Sequence, residues 1–300
     1  MQALGAQRTA VDLQARQGER RISAPSQSRL QVTDLEFTFE MPDRLRLDGG
    51  ILHGALGAAL HTIAPHAYRD LYEATLPPYR MSWRPATLRV ILFGPATRHA
   101  VIVVQAVQSM AERGLGRMRL GVAVRMAVQN LGPRGRLLLQ HDAAWMALPD
   151  PVGLGDLCLQ PVVSGNWSLV LETPLAFKRR ERIDREPPSF SVLLARSIER
   201  CTKLLALQGE FPVLSPSTRD DARQVALLDS DCQWHTFERY SARQGQAMPI
   251  GGIAGTLRYS PAPVEALAWI AACSWLGVGA KTTFGLGQIR IAPSEVARQN

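Results

Sequence analysis

The sequence predicts an α+β fold made of two successive units, each ordered strand, helix, strand, strand, helix, strand. Three observations carry that expectation. The hydrophobic residues switch repeatedly between a period of two and a spacing of three and four. Clusters of proline and glycine cut these periodic stretches into elements of ordinary length. The chain has 300 residues, 46% of them hydrophobic, which suits about two domains, each with a core of its own.

In the first unit, "RLQVTDLEFTFE" alternates Leu35, Phe37 and Phe39 with Glu36, Thr38 and Glu40, the period of a half-buried strand. In "ILHGALGAALHTIAPHA", Leu52, Ala55, Leu56, Ala59, Leu60 and Ile63 recur three and four apart, so an amphipathic helix docks them on a sheet and stops near Pro65. "YRMSWRPATLRVILFG" reads as extended. "TRHAVIVVQAVQSMAERG" reads as a helix ending at Gly114, although the β-branched run "AVIVVQAV" also suits a strand. "RMRLGVAVRMAVQNL" and "RGRLLLQHDAAW" are expected to pair around a Gly-Pro-Arg-Gly turn. "LPDPVGLGDLCLQPVVSGN" is rich in proline and glycine and places a domain boundary near residue 160. Residues 1–28 lack periodicity and read as a basic, flexible arm. The expected division is therefore an arm over 1–28, an N-terminal domain over 29–160 and a C-terminal domain over 161–300.

The second unit is clearer. "NWSLVLETPLAFK" alternates Trp167, Leu169 and Leu171 with Ser168 and Glu172. After Pro187, Pro188 and Ser189 a helix lines up Phe190, Leu193, Leu194, Ile198, Cys201 and Leu205, and Gly209 closes it. "CQWHTFERYS" and "GGIAGTLRYS" form a hairpin. "PVEALAWIAACSWLG" is a buried helix opened by proline and ended by glycine, and "GQIRIAP" is the last strand. The order is that of the ferredoxin-like fold, and two tandem copies would offer four-stranded sheets like the platforms of RNA-recognition modules.

Lys and Arg number 34 against 26 Asp and Glu, a net charge of +8. Such a balance favours a polyanionic partner, and arginine, which dominates here, forks onto phosphate. Nucleic acid leads and an anionic membrane surface follows. Cys158, Cys201, Cys232 and Cys273 show no CxxC spacing, which argues against a zinc site or a disulfide framework. No metal and no cofactor are expected. The N-terminus lacks the apolar core of a signal peptide, and the apolar run 266–280 is too short to cross a bilayer. The expectation is a cytoplasmic protein without a membrane partner.

The stretch "GVGAKTTFGLG" sets Gly277, Gly279, Gly285 and Gly287 around Lys281. Such glycines can cap a helix and turn the chain into a strand. They can also let a phosphate approach free amides, the reading favoured in so basic a protein. The spacing is neither GxGxxG nor a P-loop, so a nucleotide cofactor is not implied.

Here the sequence resembles the RAMP superfamily of CRISPR systems, and within it the endoribonucleases that cut precursor CRISPR RNA at its repeats. The resemblance rests on "GVGAKTTFGLGQIRI", on "FERYSARQGQAMPIGGIAGTLRY" before it, on "LETPLAFK", and more weakly on "GGILHGALGAAL" and "ILFGPA". It implies two tandem ferredoxin-like domains and metal-independent attack by the RNA's own 2′-hydroxyl. The mature guide RNA would carry 2′,3′-cyclic phosphate and 5′-hydroxyl ends, and the protein would stay on the product hairpin. The implied partners are precursor and mature CRISPR RNA, with other CRISPR effector subunits beside them. The superfamily also contains subunits that bind guide RNA without cutting it, which is the alternative.

Cleavage of this kind needs a proton acceptor, a proton donor and cations for the phosphorane charge, and histidine suits the proton work. His53 and His61, four residues either side of Gly57, share one flank of the first helix beside its apolar stripe, and the resemblance often places a catalytic histidine on this helix. Two ordinary surface histidines are the alternative. His66 follows Pro65 at the helix end and reads as a loop residue, His99 and His141 have no paired partner, and His235 alternates with Trp234 and Phe237 in a strand. For RNA contact the candidates besides the glycine loop are Lys178, Arg179 and Arg180 in "FKRRERIDREPP", Arg239, Tyr240 and Arg243 in "ERYSARQ", and Arg117 and Arg119 at the start of a strand. Trp167, Trp269 and Trp275 are expected in the core.

Overall fold

The structure is a computed structural model that describes residues 20–293 apart from 43–44, 46–47, 117–118, 132–133, 141–144, 159–164, 180–181 and 242–245. A short strand β1 (Arg20–Ile22) precedes the first unit, which runs β2 (Gln31–Glu40), α1 (Gly49–Ile63), α2 (Pro65–Tyr68) with a π turn over Arg69–Glu73, β3 (Tyr79–Arg84), β4 (Thr87–Phe93), α3 (Ala100–Glu112), β5 (Ala123–Leu131) and β6 (Arg134–Gln140). β7 (Val152–Gly153) and α4 (Leu154–Leu157) lie in the connection. The second unit runs β8 (Trp167–Leu175), β9 (Lys178–Arg179), β10 (Arg182–Ile183), α5 (Phe190–Leu205), β11 (Glu210–Pro212), α6 (Pro216–Asp221), β12 (Leu227–Ser241), β13 (Gln246–Tyr259), α7 (Val264–Leu276) and β14 (Ile289–Pro293).

The first sheet has the order β3-β4-β2-β5-β6, with β7 paired to the start of β2, and the second has the order β12-β13-β8-β14. With β6 set aside, both read second, third, first, fourth strand of their unit, and every pairing in them is antiparallel. The two units are tandem ferredoxin-like domains.

Local chemistry explains the helices. Asp48 caps α1 by accepting from the Ile51 amide at 2.8 Å, and Pro65 opens the next helix where α1 stops. Ser189 caps α5 through the Val192 amide, and the predicted apolar face buries Phe190, Leu193, Leu194, Cys201 and Leu205. In α3, whose β-branched run left the state open, Val103, Val104, Val107, Met110 and Ala111 are all buried at helical spacing. Burial of that stripe outweighs the small β preference of valine. Ile63 departs from expectation: it is 41% exposed, in a last turn of α1 where His61 and Thr62 are exposed as well.

Two large cores result. One lies under α1 and α3 around Leu35, Phe37, Leu52, Leu56 and Val107. The other surrounds Trp167, Phe190, Tyr259 and Trp269 and continues into Val32, Ile91 and Phe93 of the first unit, so the two domains share apolar contact. The tryptophans are core as expected, Trp275 packing at its margin.

The proposed boundary at 160 falls outside the described residues, as does most of the expected arm. From Arg20 onward the arm is in fact docked: β1 pairs in parallel with β11. The buried carboxylate of Glu210 accepts from Arg20 Nη1 at 2.7 Å and from Ser28 Oγ at 2.7 Å. A buried carboxylate needs such donors, and the arm supplies them.

Candidate active site at the domain seam

Helix α1 is lined with small residues, and two of them decide what packs on it. A Cβ at Gly49 would lie 1.9 Å from the Phe284 carbonyl oxygen, and one at Gly57 would lie 2.7 Å from Cε1 of Tyr72. Glycine at 49 therefore lets the loop before β14 touch the helix, and glycine at 57 seats a tyrosine ring. His53 sits one turn from each.

Its imidazole is stacked on Phe284 with centroids 4.1 Å apart, and lies 4.7 Å from the Tyr72 ring and 6.4 Å from Tyr79. The Tyr72 hydroxyl donates to the His53 carbonyl at 2.8 Å, which ties helix and ring together. Tyr68 stacks on Tyr72 at 5.2 Å, and Tyr72 on Tyr79 at 5.4 Å. Burial pushes the phenols of Tyr72 and Tyr79 well above the ordinary tyrosine value, so both remain neutral around physiological pH.

His61 does not join this group. It is exposed and meets Tyr68 edge-on at 5.1 Å, so Tyr68 and Tyr72 stand between the two imidazoles. The expected shared flank of two histidines and a bare glycine is covered by those tyrosines, because spacing of four puts residues on one face but does not keep that face empty.

The glycine loop also differs from expectation. Gly277, Gly279, Gly285 and Gly287 all have positive φ, between 71° and 91°. A Cβ at Gly285 would lie 2.8 Å from Trp83 Cδ1, one at Gly279 2.6 Å from the Ala176 oxygen, and one at Gly287 1.9 Å from the Val278 oxygen. Gly277 approaches the Arg80 side chain in the same way at 3.1 Å. The bare backbone is consumed by protein packing, much of it against the first unit, rather than held open for phosphate. Lys281 is the part that faces outward: it is exposed, left-handed at φ 63°, and its Nζ lies 5.8 Å from the Phe284 ring centroid.

Beneath the loop lies Arg80, fully buried, donating from Nη2 to the Ser274 carbonyl of α7 at 2.9 Å. Burial brings this guanidinium down to about 9, which leaves it charged at neutral pH. Beside it Arg89 Nε binds Asp34 at 2.8 Å, while Glu172 holds Arg84 at 3.3 Å and Arg290 at 3.1 Å across the two sheets. The loop and the site are thus fixed from both domains.

The remaining candidates are scattered. Lys178 is exposed in the β9–β10 ribbon. Arg180, Arg243 and Arg117 lie outside the described residues, as do the side chains of Arg179, Arg239 and Tyr240, whose backbones are in β9 and β12. Arg119 is exposed at φ 47° in a turn bridged by Leu115 and Leu120, ahead of the strand rather than at its start. His99, expected without a partner, is buried 2.9 Å from Asp70, whose carboxyl is held below its ordinary value by Arg98 and then by His99; His141 lies outside the described residues. Sequence reasoning missed Tyr68, Tyr72, Tyr79 and Phe284. The Tyr68–Tyr72 spacing of four was the available signal.

Residues 169–289 match the model of the family described as CRISPR-associated endoribonuclease Cas6. Among solved structures, Thermus thermophilus Cas6 is 18% identical at a TM-score of 0.58, covering 88% of this chain and 99% of that one. A Cas6 product complex is 17% identical at a TM-score of 0.58, covering 87% and 99%. A partial Cas6-RT-Cas1–Cas2 complex is 14% identical at a TM-score of 0.56, covering 90% of this chain and 47% of the other. At these identities the likeness is one of fold. No curated protein matches. No helix among the described residues is long and apolar enough to cross a membrane.

Proposed function

We propose that this chain, a Cas6-type CRISPR protein by the match of residues 169–289, is an endoribonuclease that cuts precursor repeats without a metal, at the seam of its two domains. The observation that supports this is the meeting of His53 and Lys281 at one ring, Phe284, with the imidazole at 4.1 Å and the ammonium at 5.8 Å. A proton-transfer group and a cation at one partly exposed patch are what phosphodiester cleavage by an internal nucleophile requires.

In the proposed reaction His53 takes the proton of the 2′-hydroxyl, and O2′ attacks the adjacent phosphorus. The P–O5′ bond breaks, leaving a 2′,3′-cyclic phosphate. The 5′-oxygen leaves as a hydroxyl, the proton returning through the imidazolium and solvent. Lys281 offsets the charge that gathers on the non-bridging oxygens. Tyr72 and Tyr79 stay neutral, so no phenolate repels the phosphate. A relative solved as a product complex supports retention of the product, and one solved with Cas1–Cas2 supports further CRISPR proteins as partners.

The test is single-turnover cleavage of a repeat-containing RNA by excess protein in EDTA. Undiminished cutting with a cyclic-phosphate end is expected. Loss of cutting in EDTA overturns the metal-free reading, and tight binding without cutting in any buffer supports the non-catalytic guide-RNA subunit instead.

A further inference from the structure

A hollow of about 250 Å³ opens between helix α5 and Gly279–Ala280 of the glycine loop, with Leu76 of the first unit in its lining. Arg196, Glu199, Arg200 and Lys203 line it from α5. Their spacing of three and four places them on one helical face, opposite the buried apolar stripe.

The charges in the hollow do not balance. Among the described residues that line it Glu199 is the one carboxylate, and its two oxygens accept from Arg196 Nη1 at 2.8 Å and from Lys203 Nζ at 2.6 Å. Arg200 has no carboxylate partner among the described residues. Its Nε donates to the Leu276 carbonyl at 3.1 Å, and its buried Nη2 has no hydrogen-bond partner among the described residues. Burial lowers this guanidinium to about 10, still charged at neutral pH. A buried guanidinium ordinarily sits against a carboxylate, because an unpaired charge away from water is costly. The backbone carbonyl of Lys178 accepts from Arg196 Nη2 at 2.8 Å and closes the rim.

We propose that this hollow is a phosphate subsite, occupied by a backbone phosphodiester of the RNA strand that flanks the cut. The glycine loop would then serve the RNA from two sides. Lys281 faces the His53 patch, and Gly279–Ala280 form a wall of the hollow, so a strand leaving the cut can cross Ala280 and set its next phosphates over Arg200. This inference rests on the endoribonuclease reading above.

The experiment measures binding of a repeat-containing RNA to the full chain over a salt series, with wild-type cleavage of the same RNA run alongside. Arg200→Met and Lys203→Met should each weaken binding several-fold and reduce the slope of log affinity against log salt by about one. Glu199→Gln, which releases two cations on an exposed face, should move the other way, tightening binding and steepening the slope. Because Arg200 is half-buried and tied to the Leu276 carbonyl, Lys203→Met and Glu199→Gln keep the test valid even if Arg200→Met does not fold. Opposite shifts in these two support the subsite. If wild type binds and cuts while both variants keep its affinity and slope, the subsite is overturned and the enzyme reading stands. If wild type neither binds nor cuts, the enzyme reading itself falls, and the subsite with it.

Discussion

Both domains carry a glycine turn between their last helix and their last core strand, and the two turns do different things. In the first domain Gly114 and Gly116 adopt φ of 84° and 73°, and a Cβ at Gly114 would strike the carbonyl of Arg119 at 2.2 Å, within the same turn. In the second domain Gly285 lies against Trp83, and the backbone of Phe284 lies against Gly49, both in the other domain. One turn serves itself, and the other joins the halves of the protein. Positive φ shows where a chain must bend. What lies against the bend is decided by residues some 200 positions away, such as Trp83 and Gly49.

The contrast can be broken hardest at the group that the joining turn covers. His53→Ala is expected to lower the single-turnover cleavage rate by about 100-fold or more, the usual contribution of a positioned acid or base. His61→Ala, behind Tyr68 and Tyr72, is expected to stay within a few-fold of wild type. Equal losses from both would mean that the two rings work together across the tyrosines, and the proposed division would be wrong.

Next in size is the fit between the turn and the helix. Gly49→Ala forces a methyl into the Phe284 carbonyl and should cost about 1–3 kcal/mol in thermal or denaturant unfolding, as overpacking does. Cleavage should fall with it, since the loop that carries Lys281 moves off α1. The matched change in the first domain, Gly116→Ala, meets only Leu45 at 3.3 Å. It should cost about 1–2 kcal/mol from its left-handed φ alone and leave cleavage near wild type. A Gly116 variant that cuts as poorly as the Gly49 variant would erase the distinction between the two turns.

Much of this was legible beforehand and some was not, for reasons that differ. The strand and helix order of both domains could be read, because burial of one face imposes a period on each segment separately. Even "AVIVVQAV" yields to that logic once its valines are counted on a helix face. His53 could be singled out as a candidate on α1, because helical spacing places it beside the apolar stripe. The glycine loop could be located, but its use could not, since packing against Trp83 and phosphate binding ask for the same bare backbone. The tyrosines around His53 were missed because Tyr68, Tyr72 and Tyr79 come from a helix, a π turn and a strand, and the seat of Tyr72 over Gly57 shows only in the fold. Arg80 reads as one more basic residue in a strand, and nothing local says that it is wholly buried against Ser274.

Lys281→Ala separates the two roles of the joining turn. Its side chain is exposed, and the left-handed backbone at φ 63° already carries a Cβ there, so little stability should be lost. The slope of log affinity for RNA against log salt should nevertheless drop by about one, and cutting should slow. An unchanged slope would make the whole loop a structural brace.

The smallest effect is expected from Tyr72→Phe. The ring and its stacks on His53, Tyr68 and Tyr79 remain, and only the hydroxyl that donates to the His53 carbonyl at 2.8 Å is removed. Loss of one such bond should cost about 0.5–1.5 kcal/mol in unfolding. Cleavage should change by no more than a few-fold, because the phenol is neutral and tied to the backbone rather than offered to the phosphate. A loss near that of His53→Ala would show that Tyr72 itself passes a proton, and the imidazole would then share the chemistry with the ring that covers it.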